Sequence, residues 1–486
     1  MKSVRTTILI TSCLVLTLSG CKKFLEHSPD NRASLVSPEQ VSQLLGTAYP
    51  QANYMAFCES ISDNVADKGI GGIDQTNSDV FFFKDVTYNQ QDSPEFYWNA
   101  CYTAIAAANQ ALKVCETAPD PENYTAPKGE ALVARAYAHF MLVTFFSKVY
   151  DQATANSDIG IPYVTEPESI VFKNYKRKTV SYVYQMIEKD LTEGLPLIDD
   201  KTYSVPRYHF TRVAAHAFAA RFYLFKKEYE KVVEHANLVF PGNNVTSVLR
   251  PWNTTYRKLT YNELWARYAK ASEPANLLLV ETSSLWARNY YTARYALTDS
   301  LSDIILGPNV VPNGVWTFNY QLYSISEVHM LLPKINEYFV RVSVNAEIGY
   351  PYVMVPLFTA EEALFNRAEA NVQLNKTAEA IADLNAYAST RINNYNVTSN
   401  IITADRIQNF YGASSIQAGT LAAILDFKRA EFVQEGMRWF DLLRLKLPVK
   451  HTAKSGETFT LAADDLRRVF QVPESAKLSG LDLNPR

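Results

Sequence analysis

Ala219-Ala220-Arg221-Phe222-Tyr223-Leu224-Phe225-Lys226-Lys227-Glu228-Tyr229-Glu230-Lys231-Val232-Val233 reads as two helices joined by a tight turn. It has small residues along one helical face, a turn of two or three residues, and an aromatic entry into a second helix. Ala368-Glu369-Ala370-Asn371-Val372-Gln373-Leu374-Asn375-Lys376-Thr377-Ala378-Glu379-Ala380-Ile381-Ala382 can be laid over it. This is the grammar of a tetratricopeptide pair, in which small side chains let antiparallel helices approach closely. The two copies are irregular and far apart, so they predict a helical shelf with long insertions, not an unbroken solenoid.

Working outward, a 3.6-residue stripe of Phe96, Tyr97, Cys101, Ile105, Ala108 and Leu112 predicts a helix over 94–118, ended by Pro119 and Pro121. A second helix is predicted over 128–149, and others at 179–195, 210–226, 228–239, 360–374, 377–391 and 419–435. Strand alternation is sparse. The expected fold class is mostly α, with tetratricopeptide-like helical pairs forming a scaffold and long, irregular, loop-rich insertions. Two segments stand out as insertions. Residues 60–92 carry Asp63, Asp67, Gly69, Gly71, Gly72, Asp74, Asn77 and Asp79 before Phe81-Phe82-Phe83. Residues 241–357 are rich in Pro, Asn, Tyr and Trp and hold Trp252, Trp265, Trp286 and Trp316. A long aperiodic segment inside a helical protein reads as functional.

The chain has 486 residues, with 47 Lys+Arg against 50 Asp+Glu. That balance argues against a nucleic-acid partner, which calls for a basic excess. Hydrophobic residues at 47% exclude a disordered chain, and aromatics at 13% exceed what a core needs. Lys2 and Arg5 precede an apolar run from Ile8 to Leu18, too short to span a bilayer comfortably. Leu18-Ser19-Gly20-Cys21 follows and resembles a bacterial lipobox. The expectation is a signal peptide over 1–20, lipidation at Cys21, a tether over 21–40 and one unit over 41–486. Cys58, Cys101 and Cys115 remain. With no paired Cys-x-x-Cys spacing they predict buried thiols, with a Cys101–Cys115 disulfide as the alternative.

No metalloprotease, nucleophile-elbow or phosphate-loop motif is present. Carboxylates are plentiful, yet no spacing nominates a catalytic pair. The expectation is no enzyme, no cofactor and no metal. Arg429, Glu431, Glu435, Arg438, Asp441 and Arg444 interleave three cations and three anions with Phe432, Trp439 and Phe440. Charges so spaced would largely satisfy one another, which predicts a lock between helices.

Four segments together resemble the SusD/RagB family of outer-membrane nutrient-binding lipoproteins. They are Cys21-Lys22-Lys23-Phe24-Leu25-Glu26, the helix from Glu130 to Leu142, the pair opening at Phe210-Thr211-Arg212, and Arg429-Ala430-Glu431-Phe432 with Glu435-Gly436-Met437-Arg438-Trp439-Phe440-Asp441-Leu442-Leu443-Arg444. The last is the most distinctive. Phe470-Gln471-Val472-Pro473 and Asn484-Pro485 echo the family's closing elements. The resemblance implies a lipid-anchored protein at the outer membrane. It would bind a glycan or other oligomeric nutrient and deliver it to a SusC-like TonB-dependent β-barrel transporter. Rings stack on the C–H faces of sugars while planar polar groups bond the hydroxyls. On that basis Trp286, Trp316, Tyr290 and Tyr320 are the expected platforms, and Asp67, Asn77 and Asp79 the polar contacts. The alternative is a peptide- or protein-binding helical scaffold without sugar binding.

Overall fold

The computed structural model describes residues 37–168, 173–326 and 329–486. The signal segment, Cys21 and most of the tether lie outside the described residues. Helices α1 (Pro38–Leu45), α2 (Met55–Ser60) and α3 (Gln75–Phe81) lead into α4 (Pro94–Thr117), α5 (Thr125–Phe146) and α6 (Val180–Gly194). Helices α7 (Arg212–Lys226) and α8 (Tyr229–Val239) form the pair read first. The second insertion carries α9 (Tyr261–Tyr268), α10 (Trp286–Asn289) and α11 (Asp299–Ile305). Then come α12 (Ala360–Gln373), α13 (Thr377–Arg391), α14 (Ala404–Tyr411), α15 (Ile416–Glu431) and α16 (Met437–Arg444). The protein is mostly α-helical, as its sequence implies.

Local chemistry sets these boundaries. Ser93 Oγ accepts from Phe96 N ahead of Pro94 at the first turn of α4, and Thr211 Oγ1 accepts from Ala214 N at α7. Helix α7 stops where Lys227 turns left-handed at φ 62°, and α8 starts two residues on. Helix α15 starts earlier than its periodicity predicts because Ser415 caps it, and ends before Gln434 and Gly436 turn left-handed. Ala214, Ala215, Ala217, Ala219 and Ala220 are all buried on α7. Buried arginines cross-link the scaffold: Arg135 to Asp190 at 2.7 and 2.8 Å, Arg221 to Glu362 at 2.5 and 2.6 Å, and Arg367 to Asp383 at 2.6 and 3.0 Å.

The segment read as irregular holds the main sheet. Strands β2 (Asn276–Ser283), β6 (Glu337–Arg341) and β7 (Gly349–Thr359) are antiparallel in the order β2-β7-β6, and β4 (Tyr323–Ser326) pairs with β5 (His329–Leu331). Strand β1 (Ala66–Asp67), from the first insertion, pairs with β3 (Tyr295–Ala296) in the second. The hairpin β8 (Val449–Thr452) and β9 (Thr458–Leu461) lies near the C-terminus. One continuous core runs from Val41 to Leu481. Cys58, Cys101 and Cys115 are buried free thiols. No helix of the described residues is long and apolar enough to cross a membrane.

Candidate ligand-binding site

The two insertions meet along one seam. Besides the β1–β3 pairing, Gly72 N donates to Thr292 O at 3.0 Å and Arg294 N donates to Gly72 O at 2.8 Å. Gly71 makes this approach possible: its φ is 114°, and a Cβ there would lie 2.6 Å from Thr292 O. Further along, Asp92 accepts from Ser284 Oγ at 2.6 Å and Leu285 N at 2.7 Å. Burial pushes the Asp92 carboxyl up to about 7, against those two bonds.

Half-buried rings gather beside this seam. Tyr261 and Trp265, one turn apart on α9, lie 5.3 Å apart edge to face, and Tyr323 meets Tyr261 at 5.3 Å and 85°. Tyr291 joins below α10, edge to face with the buried Tyr290 at 5.5 Å. Thr260 and Glu263 form a reciprocal capping box that fixes the start of α9. The Trp265 indole N–H donates to Ile335 O, so its ring is held in place. Lys68 of the first insertion donates to Tyr291 O at 2.8 Å and lies 2.9 Å from His329 Nδ1. Burial lowers the Lys68 ammonium to about 8. Burial, and after it the neighbouring Tyr291 and Tyr323, raises the Tyr261 phenol above its ordinary value, so these three rings bring their hydroxyls to one place.

Several expected contacts are corrected by burial. Trp286 is 4% exposed and gives its indole N–H to Gln434 O at 3.2 Å. Trp316, 2% exposed, packs edge to face on Phe427 of α15 at 4.9 Å. Tyr290, 2% exposed, donates to Leu332 O at 3.1 Å. All three build the insertion's own core and present no ring to a ligand. Asn77 is also internal: its Nδ2 donates to Ser60 Oγ and Tyr295 O at 2.8 and 2.7 Å. Asp67 is locked by Arg294 at 2.7 and 3.0 Å and accepts from Gly69 N and Lys454 N. Burial opposes ionisation there, but these partners hold its carboxyl near 2. Asp79 is half-buried, its carboxyl raised by burial. Tyr320 stays exposed, with the Arg257 guanidinium 5.1 Å from its ring and its hydroxyl accepting from Asn393.

The rings that sequence reasoning missed had a signal: Tyr261 and Trp265 share one face of a short capped helix. The clefts elsewhere differ in chemistry. One of about 570 Å³, between residues 83–95 and the C-terminal segment, is lined by Lys84, Asp85, Asn89, Arg467 and Gln471, and its rings Phe83 and Phe470 are buried.

Comparison with known proteins identifies the family and the fold. Residues 23–224 match a family model described as "Starch-binding associating with outer membrane", and residues 355–474 match the model of the SusD family. Between them the two cover more than half of the chain, flanking the ring-bearing insertion. The chain belongs to the SusD family. A SusD-like protein of Formosa agariphila is 23% identical over 398 residues, spanning 73% of this chain and 72% of that one. Among solved structures, a putative sugar binding protein from Bacteroides vulgatus superposes with a TM-score of 0.70 at 20% identity, covering 93% of this chain and 99% of that one. A SusD superfamily protein from Bacteroides thetaiotaomicron gives 0.68 at 19%, covering 93% and 100%. A laminarin binding SusD-like protein gives 0.56 at 19%, covering 92% and 97%. These SusD likenesses establish the fold.

The motif from Arg429 to Arg444, inside the segment that matches the SusD family model, is a lock. Arg438 grips Asp63 at 2.8 and 2.9 Å, and Arg429 donates to Asn64 Oδ1 and Asp63 O. Glu431 accepts from Arg391 and Tyr387, Glu435 from Lys334 and Tyr268, and Asp441 from Lys428 and Arg444. Every charge is met from another element or from within the motif.

Proposed function

We propose that this SusD-family chain captures a glycan on the ring cluster of Tyr261, Trp265, Tyr291 and Tyr323, with exposed Tyr320 as an outlying ring. It would pass that glycan to a SusC-like TonB-dependent β-barrel while held at the outer membrane by lipid on Cys21. The observation that carries the reading is the gathering of part-exposed rings where the two insertions meet. Rings offer flat apolar area to sugar C–H faces, and the hydroxyls of Tyr261 and Tyr291 can bond the ring oxygens and hydroxyls. Binding of laminarin by a relative of the same fold supports a polysaccharide over a small metabolite. The activity is capture without catalysis.

The test is a glycan array probed with residues 22–486, followed by calorimetry on the best ligand. Trp265→Ala and Tyr261→Ala are each expected to weaken binding about fivefold to tenfold, since an aromatic contact is worth ~1 kcal/mol. Full binding by the double variant would place the glycan elsewhere. A second reading, a peptide-binding scaffold, draws on a groove of about 420 Å³ beside α4, where Trp98, Tyr102 and Tyr175 meet Glu166 and Glu168. Peptide binding on that acidic groove, with no glycan bound, would favour it.

A further inference from the structure

Strand β6 (Glu337-Tyr338-Phe339-Val340-Arg341) is a sheet edge. Its register decides which backbone groups face outward. Tyr338 stands opposite Tyr352, Phe339 opposite Pro351 and Val340 opposite Tyr350. Hydrogen-bonded and unbonded positions alternate along an antiparallel pair. Pro351 has no N–H, its carbonyl accepts from Ser284 N at 3.2 Å on the β2 side, and Val342 N donates to Ile348 O at 3.0 Å. Residues 338 and 340 therefore bond to β7, and Val342 bonds to Ile348 just before it. Glu337, Phe339 and Arg341 turn their N–H and C=O away from the sheet, and among the described residues no backbone group meets them.

The hairpin carrying this edge is unusually apolar for a surface. Phe339 is 51% exposed, Val342 58%, Val344 91%, Ile348 72% and Tyr350 54%. Edges are ordinarily blunted by charged side chains, proline or a bulge; residues 337–341 hold no lysine, proline or bulge, and their two charges, Glu337 and Arg341, are of opposite sign.

The edge is also complementary to itself. Pair two copies antiparallel about a two-fold axis at Phe339, and Glu337 faces the partner's Arg341 while Arg341 faces the partner's Glu337. Tyr338 then faces the partner's Val340, and Phe339 exchanges both backbone bonds with the partner's Phe339. Opposite-charge and aromatic–β-branched cross-strand pairs are both stabilising. Arg341 enters no ion pair among the described residues, and Glu337 is already oriented by Arg288. We propose that β6 pairs edge to edge with β6 of a second copy of this chain, extending the sheet from three strands to six. Five residues from each copy make a small footprint, so the association is weak and favoured where copies share a surface. The inference is independent of the ligand reading.

Sedimentation equilibrium of the full chain in density-matched detergent, across the micromolar range, tests it. A monomer–dimer equilibrium is expected. Phe339→Pro deletes the central outward N–H without touching a β6–β7 bond, and is expected to weaken association about tenfold or more. Arg341→Glu, at an exposed side chain, sets like charges face to face and is expected to weaken it about tenfold. Adding Glu337→Arg together with Arg288→Glu to Arg341→Glu reverses the whole charge set, keeps the ion pair between residues 288 and 337 and restores the pairing to within about threefold of the original, a recovery that lost folding would not produce. A chain monomeric throughout that range, or a dimer indifferent to Arg341→Glu and Phe339→Pro, overturns the proposal. So does protection of the residue 339 and 341 amides that appears only when a barrel partner is added, which would make the occupant a different polypeptide.

Discussion

Trp286 is closed off by its bond to the Gln434 carbonyl and by neighbouring Tyr290, whereas Trp265, anchored at its N–H, keeps part of its ring in solvent. The two residues therefore answer to different experiments. Trp286→Ala and Trp316→Ala empty core volume and are expected to cost about 3–5 kcal/mol in urea unfolding. Trp265→Ala removes a half-exposed ring and is expected to cost under about 2 kcal/mol while lowering glycan affinity. Loss of glycan affinity in Trp286→Ala with its stability intact would reverse this assignment. Gly436 is another residue whose backbone decides its identity. Its φ is 75°, and an added Cβ would stand 2.9 Å from Met55 Cα. Alanine there strains the turn between α15 and α16, which sets Arg438 on Asp63.

At the scale of elements, the scaffold was readable because each helix carries redundant signals. Ser93 and Pro94, Thr211, Thr359 and Ser415 cap their helices, and the alanines of α7 mark its buried face. The second insertion gave no such signals. Strand β2 is buried along nearly its whole length, so its residues do not alternate, and β7 alternates only near its outer end. An insertion that long needs its own core, and three of its four tryptophans went into it. Counting rings could not separate Trp252, Trp286 and Trp316, which fill that core, from Trp265, which does not. The lock was legible as a pattern of charges, but its partners Asp63, Glu369 and Arg391 lie far off in the chain. Arg444→Ala leaves Glu369, 1% exposed at its side chain, without its ion-pair partner and is expected to cost about 3–5 kcal/mol. Arg438→Ala faces Asp63, 28% exposed, which water can resolvate, so it is expected to cost about 1–2 kcal/mol. Equal losses for the two in urea titrations would mean that burial does not set the cost.

Across the whole molecule, buried carboxyls of two kinds and buried histidines set the dependence of stability on pH. Burial raises Glu59 and Asp92 to about 7, even though backbone N–H groups donate to both. Asp441 is also opposed by burial, yet Lys428 and Arg444 hold it at about 2. Unfolded carboxyls titrate near 4. A carboxyl raised in the fold lends stability that is complete below about 4 and lost as pH rises through 7, on the order of 3 kcal/mol for each. A carboxyl depressed in the fold lends stability present above about 4 and lost as pH falls towards 2. Burial also keeps the imidazoles of His139, His216 and His235 neutral, lowering them to about 3, 4 and 4. Unfolded histidines titrate near 6.5, so these three lend stability that grows as pH rises to that value and outweighs the decline from Glu59 and Asp92. Unfolding free energy should therefore peak between about pH 6 and 7. Asp92→Asn mimics the protonated acid between Ser284 and Leu285, and Glu59→Gln does the same beneath Gln434 and Gly436. Each variant should make stability rise more steeply than in the parent from pH 5 to about 6.5, while leaving the acid limb in place. Urea unfolding of the parent chain and both variants across this range measures it. A variant whose dependence on pH from 5 to 7 matches that of the parent would mean that these carboxyls take up charge without penalty.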